Sequence, residues 1–122
     1  MHIRHELRPD HLLVVAGGAF DNRVARTGLG EALRVCQANG LTRIFVDGRG
    51  ITTPVSIADR YDLATLLAEH GRGRLRMAIL VSPENMFTKT LEDTATNRGA
   101  YVRTTDSLDE AMEYLGLAPA AP

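Results

Sequence analysis

Hydrophobic and polar positions alternate through HIRHEL, which places Ile3, His5 and Leu7 on one side of an extended segment. After the turn RPD, HLLVVAG follows as a more continuous apolar run, and the two predict an opening antiparallel hairpin. The period then lengthens to that of a helix over about residues 22–38. Asp21 is placed to cap its start, and Asn39-Gly40 stops it. Gly28 and Gly30 each cost such a helix about 1 kcal/mol relative to alanine, so its first half is expected to be loose or bent. TRIFVDG reads as a buried strand, and SIADRYDLATLLAEH as a helix with a stripe of Ala58, Tyr61, Ala64, Leu67 and Ala68 facing inward.

LRMAILVS is the next buried strand, stopped by Ser82-Pro83. Those two residues form the N-cap and first turn of a helix expected to run to about Arg98, with Phe87, Leu91 and Ala95 inward. Gly99 ends it, AYVRT makes a short last strand, and DSLDEAMEYL a closing helix terminated by Gly116. The order β-β-α-β-α-β-α-β-α predicts an α/β fold with a mixed, mainly parallel sheet packed with helices. A single domain over residues 1–116 and a disordered tail over 117–122 are expected. In such sheets ligands meet the carboxyl ends of the strands, which here carry Gly17, Gly18, residues 47–56 and residues 82–85.

Composition narrows the classes without choosing among them. The 122 residues are 44% hydrophobic and 24% charged, with a formal net charge of -1, so there is no basic excess of the kind that marks a nucleic-acid binder. The local basic run GRGRLR reads as a solvated loop entering a strand, with Leu75 pointing inward. No window is long and apolar enough for a membrane span, and the first residues carry no signal-peptide core, so a cytoplasmic protein is expected. Cys36 is the only cysteine. It excludes an intrachain disulfide and shares an apolar helix face with Leu29, Ala32 and Leu33.

The chemistry concentrates in VDGRGITTPVS, residues 46–56. SIAD fits a capping box in which the Ser56 hydroxyl accepts from the Asp59 N–H and the Asp59 carboxylate reaches back to the N–H of Ser56. A competing register puts Thr53 at the cap with Pro54 in the first turn. Ser56 therefore has two readings, a structural cap and a regulatory phosphoserine; the helix dipole favours a phosphate there while the Asp59 charge opposes it. Asp47 is expected to accept hydrogen bonds from the amides of a glycine loop at Gly48 to Gly50, or else to face a ligand or partner. Catalysis by Asp47 would need a second group, for which Asp59, Asp62 and Tyr61 are available, but nothing in their spacing brings them together.

VDGRGI, a serine nine residues after its aspartate, RMAILVS and NRGAYVRTTDSLDEAMEYLG together resemble the SpoIIAA-like family of the STAS superfamily, which is related to anti-sigma-factor antagonists and more distantly, in fold, to CRAL-TRIO domains. The resemblance covers about residues 3–115. It implies a small bacterial α/β domain that works without catalysis by presenting strand-end loops to a protein partner. In the antagonists a serine in an Asp-Ser-Ser-Gly type motif at this helix start is phosphorylated. Ser56 falls at or next to that serine, with Val55, Ile57 and Ala58 standing where the motif has aspartate, serine and glycine. The partner or ligand loop implied comprises Asp47, Arg49, Thr53, Ser56, Asp59, Ser82, Asn85 and Phe87, with Ser56 as the phosphorylation site.

Other signals are thin. GRG and GLGEA lack the lysine and the strand-to-helix position of a phosphate loop, and His2, His5, His11 and His70 lack ligand spacing, so neither a cofactor nor a metal is expected. A reading from another class is a carrier or sensor of a small apolar ligand such as a lipid. Met77, Met86, Phe87, Met112 and Tyr114 would line its pocket. An enzyme of unstated class is a third reading, and a homodimer through an edge strand such as HIRHEL is compatible with the pattern.

Overall fold

The structure, a computed structural model, describes residues 1–71, 75–85 and 101–117. Strands β1 (His2–Leu7) and β2 (Leu12–Gly18) form the expected antiparallel hairpin, closed by Arg8 N–H donating to the His11 carbonyl at 2.9 Å. Parallel strands β3 (Arg43–Ile51), β4 (Arg76–Leu80) and β5 (Tyr101–Thr105) complete a five-stranded sheet in the order β1-β2-β3-β4-β5. Three α-helices accompany it among the described residues: α1 (Asn22–Ala38), α2 (Ile57–Gly71) and α3 (Leu108–Leu115). The helix expected after Ser82 is described only for a short 3-10 turn at Pro83–Asn85; Met86, Phe87, Leu91 and Ala95 lie outside the described residues.

Alternation along the strands gives the sheet two dissimilar faces. One buries Leu12, Val14, Ile44 and Met77 against Ala32, Leu33 and Cys36 of α1 and Ala64, Leu67 and Ala68 of α2. The other packs Phe45, Ala78 and Leu80 against Ala111 and Leu115 of α3, with Met112 and Tyr114 alongside. Each large aliphatic side chain fully buried in these layers contributes roughly 1.5–3 kcal/mol. Cys36 is 2% exposed, and burial pushes its thiol up to about 11, as suits a core residue.

Local chemistry sets the helix ends. Asp21 accepts from the Val24 N–H to start α1, and Ser107 accepts from the Glu110 N–H to start α3. Gly116 closes α3 in the left-handed region at φ 68°. Leu117, the first residue of the expected tail, is buried and donates its N–H to the Met112 carbonyl, so the packed chain runs one residue further; residues 118–122 lie outside those described.

Three expectations are corrected. α1 is continuous through Gly28 and Gly30: a Cβ on Gly28 would lie 2.6 Å from Ile3 Cδ1, so that glycine lets β1 approach the helix, while Gly30 faces open space. Strand β3 does not end at Gly48 but continues to Ile51 through a bulge: β2 advances two residues from Val15 to Gly17 while β3 advances three, from Asp47 to Gly50. Glycine suits this passage because a Cβ on Gly50 would stand 3.3 Å from the Ala16 carbonyl oxygen, and one on Gly48 3.3 Å from that of Leu80. In α2 the first turn faces the other way from the predicted stripe. Arg60, 7% exposed, points inward ahead of Ala64, Leu67 and Ala68, whereas Ala58 is exposed and Tyr61 is 48% exposed.

Candidate functional site

The carboxyl edge of the parallel strands brings together the turn from β2 into α1, the connection from β3 into α2, the 3-10 turn after β4, and Met1, which lies at that edge because β1 runs antiparallel. Thr52 N–H donates to the Gly18 carbonyl at 3.0 Å, and Phe20 N–H to Thr53 Oγ1 at 2.9 Å. Asp21 N–H points at Met1 Sδ, 3.4 Å away. From the other side, Asn85 accepts at Oδ1 from the Val55 N–H (3.3 Å) and donates from Nδ2 to the Thr53 carbonyl (3.4 Å). Arg60 Nε donates to the Val55 carbonyl at 2.9 Å. Residues 53–55 are thus held on three sides although Thr53 and Pro54 are exposed.

This clamp decides between the two registers of the α2 start. The Thr53 hydroxyl is engaged by Phe20, and Ser56 caps the helix: Ser56 Oγ accepts from the Asp59 N–H at 3.1 Å and donates to Asp59 Oδ2 at 2.9 Å. The return contact of the box is made to the hydroxyl, where the sequence pattern had placed it at the Ser56 N–H. Ser56 is exposed. The other oxygen of Asp59 accepts from Asn22 Nδ2 (3.0 Å), which also reaches Asp62 Oδ2 (3.3 Å), and Arg26 pairs with Asp62 at 2.7 Å. The Arg26 guanidinium, followed by the Asn22 contact, holds the Asp62 carboxyl below its usual range.

Asp47 and Arg49 belong to a different neighbourhood. Asp47 follows Val46, which faces α1 and α2, so its side chain leaves from the opposite side of the sheet, the side of Phe45 and Leu80. There it accepts from Arg49 Nε (3.0 Å), Arg49 Nη2 (2.8 Å) and the Arg49 N–H (3.2 Å). The Arg49 guanidinium holds its carboxyl below the ordinary range against the opposing effect of partial burial. Of the amides of the expected loop 48–50, that of Arg49, inside the bulge, bonds it. Ser82 hydrogen-bonds the Glu84 carboxylate, and its carbonyl accepts from the Asn85 N–H at 2.9 Å. The structure therefore gathers Thr53, Ser56, Asp59, Ser82 and Asn85 at one edge and leaves Asp47 and Arg49 paired on the other face; Phe87 lies outside the described residues.

Beneath the Thr53–Ser56 connection, between the sheet and helices α1 and α2, lies a cavity of about 160 Å³ with walls that are almost entirely hydrocarbon. Met77 lines it, as the carrier reading required. Met112 and Tyr114 do not: they sit with α3 on the opposite face, where the guanidinium groups of Arg76 and Arg103 stand over the Tyr114 ring, 5.3 and 5.1 Å from its centre. Strand alternation separates them from Met77 even though helical spacing had allowed a common pocket. Arg60 and Asn22 were not singled out from the sequence. Arg60 had a readable signal, an arginine in register with Ala64 and Leu67 on an inward stripe; Asn22 had none. Among the described residues no three His, Cys, Asp or Glu side chains gather as a metal site, and no helix is long and apolar enough to cross a membrane.

A solved structure titled as an anti-sigma factor antagonist from Mycobacterium paratuberculosis superimposes on this chain with a TM-score of 0.61, covering 94% of this chain and 93% of that one at 15% identity. The chain shares the fold of an anti-sigma factor antagonist. The fold resemblance carried by VDGRGI, RMAILVS and the C-terminal third is thereby borne out. At this identity the likeness concerns the fold, and the site has to be argued from its own geometry. No protein-family model matches the sequence, and no curated protein matches it.

Proposed function

We propose that this protein is a non-catalytic regulatory module of the STAS type, a single cytoplasmic domain that binds a protein partner through the loops at the carboxyl edge of its sheet. The observation that carries the reading is the Ser56 cap. An exposed hydroxyl sits at a helix N-terminus on a connection clamped by Phe20, Asn85 and Arg60, so a change at that hydroxyl acts on a pre-shaped surface. Phosphorylation of Ser56 would break its bond to Asp59 Oδ2 and set a phosphate against that carboxylate, altering the presented edge while leaving the core untouched. The fold shared with an anti-sigma factor antagonist supports a protein partner. Intact-mass measurement of the protein from its own host tests the switch. A species heavier by one phosphate, lost in Ser56→Ala, is expected, and a host protein never modified at Ser56 would refute the phospho-regulated form.

A second reading, carriage or sensing of a small apolar molecule, is favoured by one observation, the apolar cavity beneath the same loop.

A further inference from the structure

The cavity is built by sequence choices that differ from ordinary core packing. On α1 the residues facing it are Ala25, Gly28, Leu29 and Ala32, and β2 contributes Ala16; Ile3 packs against Gly28, while the small Ala25, Ala32 and Ala16 stand where larger side chains would close the gap to the sheet. The opposite wall is branched or flexible: Val14, Ile44, Val46 and Met77. Its rim at the carboxyl edge is formed by Met1, Phe20, Ile51 and Val55, all only partly buried. Ile51 reaches this wall because of the β3 bulge: five residues after Val46, an unbroken strand would have turned it to the other face.

We infer that this cavity is a binding site for an aliphatic chain of about six carbons, whose polar end stays outside at the Phe20–Val55 rim, and that its occupancy is communicated to the Ser56 loop. Size sets the first half. A cavity of about 160 Å³ is close to the roughly 150 Å³ apolar cavity that stays dry and admits the six carbons of benzene, and at ~30 Å³ each it holds about five methylene-sized groups, with the carbon next to the polar end at the rim. Chemistry sets the second. Asn85 and Arg60, the polar side chains at the loop end, bond the backbone of Thr53 and Val55, so the interior selects hydrocarbon and a carboxylate or hydroxyl belongs at the rim. The same two side chains form the route outward. A chain pressing on Val55, Asn85 and Arg60 displaces the atoms that hold residues 53–55, immediately before the Ser56 cap. This deepens the apolar-ligand reading, and only the communication step rests on Ser56 being the regulated position.

The test is methyl and amide NMR of the full chain titrated with n-hexanol, with hexanoate as the charged-head counterpart and hexane-1,6-diol as a control of equal length with two polar ends. Saturable shifts of the Val14, Ala16, Ile44 and Met77 methyls are expected with the first two ligands, with Val55 and Ser56 amides following at the same midpoint. The diol should bind at least tenfold more weakly. Ala32→Leu, which fills the cavity, should weaken hexanol at least tenfold. Because that variant could fail to fold, Val46→Ala provides the opposite perturbation, enlarging the site and shifting preference from hexanol to octanol. Absence of saturable methyl shifts in the native protein, or unchanged hexanol affinity in a folded Ala32→Leu protein, overturns the site. Methyl shifts with motionless Val55 and Ser56 amides overturn the communication. Ser56→Ala should still bind hexanol, so a host protein that lacks Ser56 phosphate but binds the alcohol refutes the phospho-switch and leaves this inference standing.

Discussion

Ser56→Ala, paired with Ser56→Asp, tests the claim that one hydroxyl serves both the helix start and the presented surface. Removing the hydroxyl leaves the Asp59 N–H without its 3.1 Å acceptor and Asp59 Oδ2 without its 2.9 Å donor. Loss of a serine cap costs about 1 kcal/mol, and for a chain of this size that lowers Tm by roughly 3–5 °C. Ser56→Asp keeps an acceptor for the Asp59 N–H and gains about 0.3–1 kcal/mol from the helix dipole. Against this it sets a second carboxylate beside Asp59, a repulsion of about 1 kcal/mol at ~4 Å in water. Ser56→Asp is therefore expected to lie between Ser56→Ala and the native protein, about 0.3–1 kcal/mol above Ser56→Ala. Adding Asp59→Asn should recover about 1 kcal/mol in the Ser56→Asp background, and the recovery should shrink as salt is raised. Urea denaturation of the four proteins at low and high salt measures each quantity. Ser56→Ala within ~0.3 kcal/mol of the native protein would refute the cap, and a Ser56→Asp stability indifferent to Asp59→Asn would refute the electrostatic opposition to a phosphate.

Two further outcomes follow from the geometry. Asp47→Asn should lower stability near neutral pH by less than about 1 kcal/mol, since Arg49 is 56% exposed. The folded-state pKa of Asp47 is depressed, so its contribution is present above the ordinary aspartate value of 3.8 and fades as pH falls through the folded value; denaturation midpoints of the two proteins should converge in acid, and a gap that widens there would contradict the pairing. Gly30→Ala should stabilise α1 by about 1 kcal/mol in equilibrium denaturation. Gly28→Ala should fall at least ~1 kcal/mol short of it, because its Cβ meets Ile3 Cδ1 at 2.6 Å; equal gains at both positions would show that Ile3 yields freely.

Local signals in the chain account for most of the architecture. The alternation of HIRHEL, the turn RPD, the cap at Asp21, the box SIAD and the stop at Gly116 each act within a few residues, and each stands where the pattern placed it. The errors arose where a residue's role depends on a distant partner. Gly28 reads as a helix breaker until Ile3 of β1 is seen against it, and DGRG reads as a loop until β2 is seen to pair across the bulge. Met77 and Tyr114 read as one pocket until the sheet separates them. Asn85 could be named as a loop residue, but its grip on Thr53 and Val55 spans some thirty positions of chain and leaves no periodic trace.

The sequence by itself thus determined the order of the described elements and most of their ends, and offered Ser56 and Thr53 as alternative caps for α2, because periodicity and capping are short-range interactions written in neighbouring side chains. Tertiary structure decided which candidates share a site. It put Thr53, Ser56, Asp59 and Asn85 at one edge, Asp47 and Arg49 on the other face, and an apolar cavity beneath the loop. Those placements follow from strand order, the bulge register and the close approach allowed by small residues, all of which are relations between segments distant in the chain.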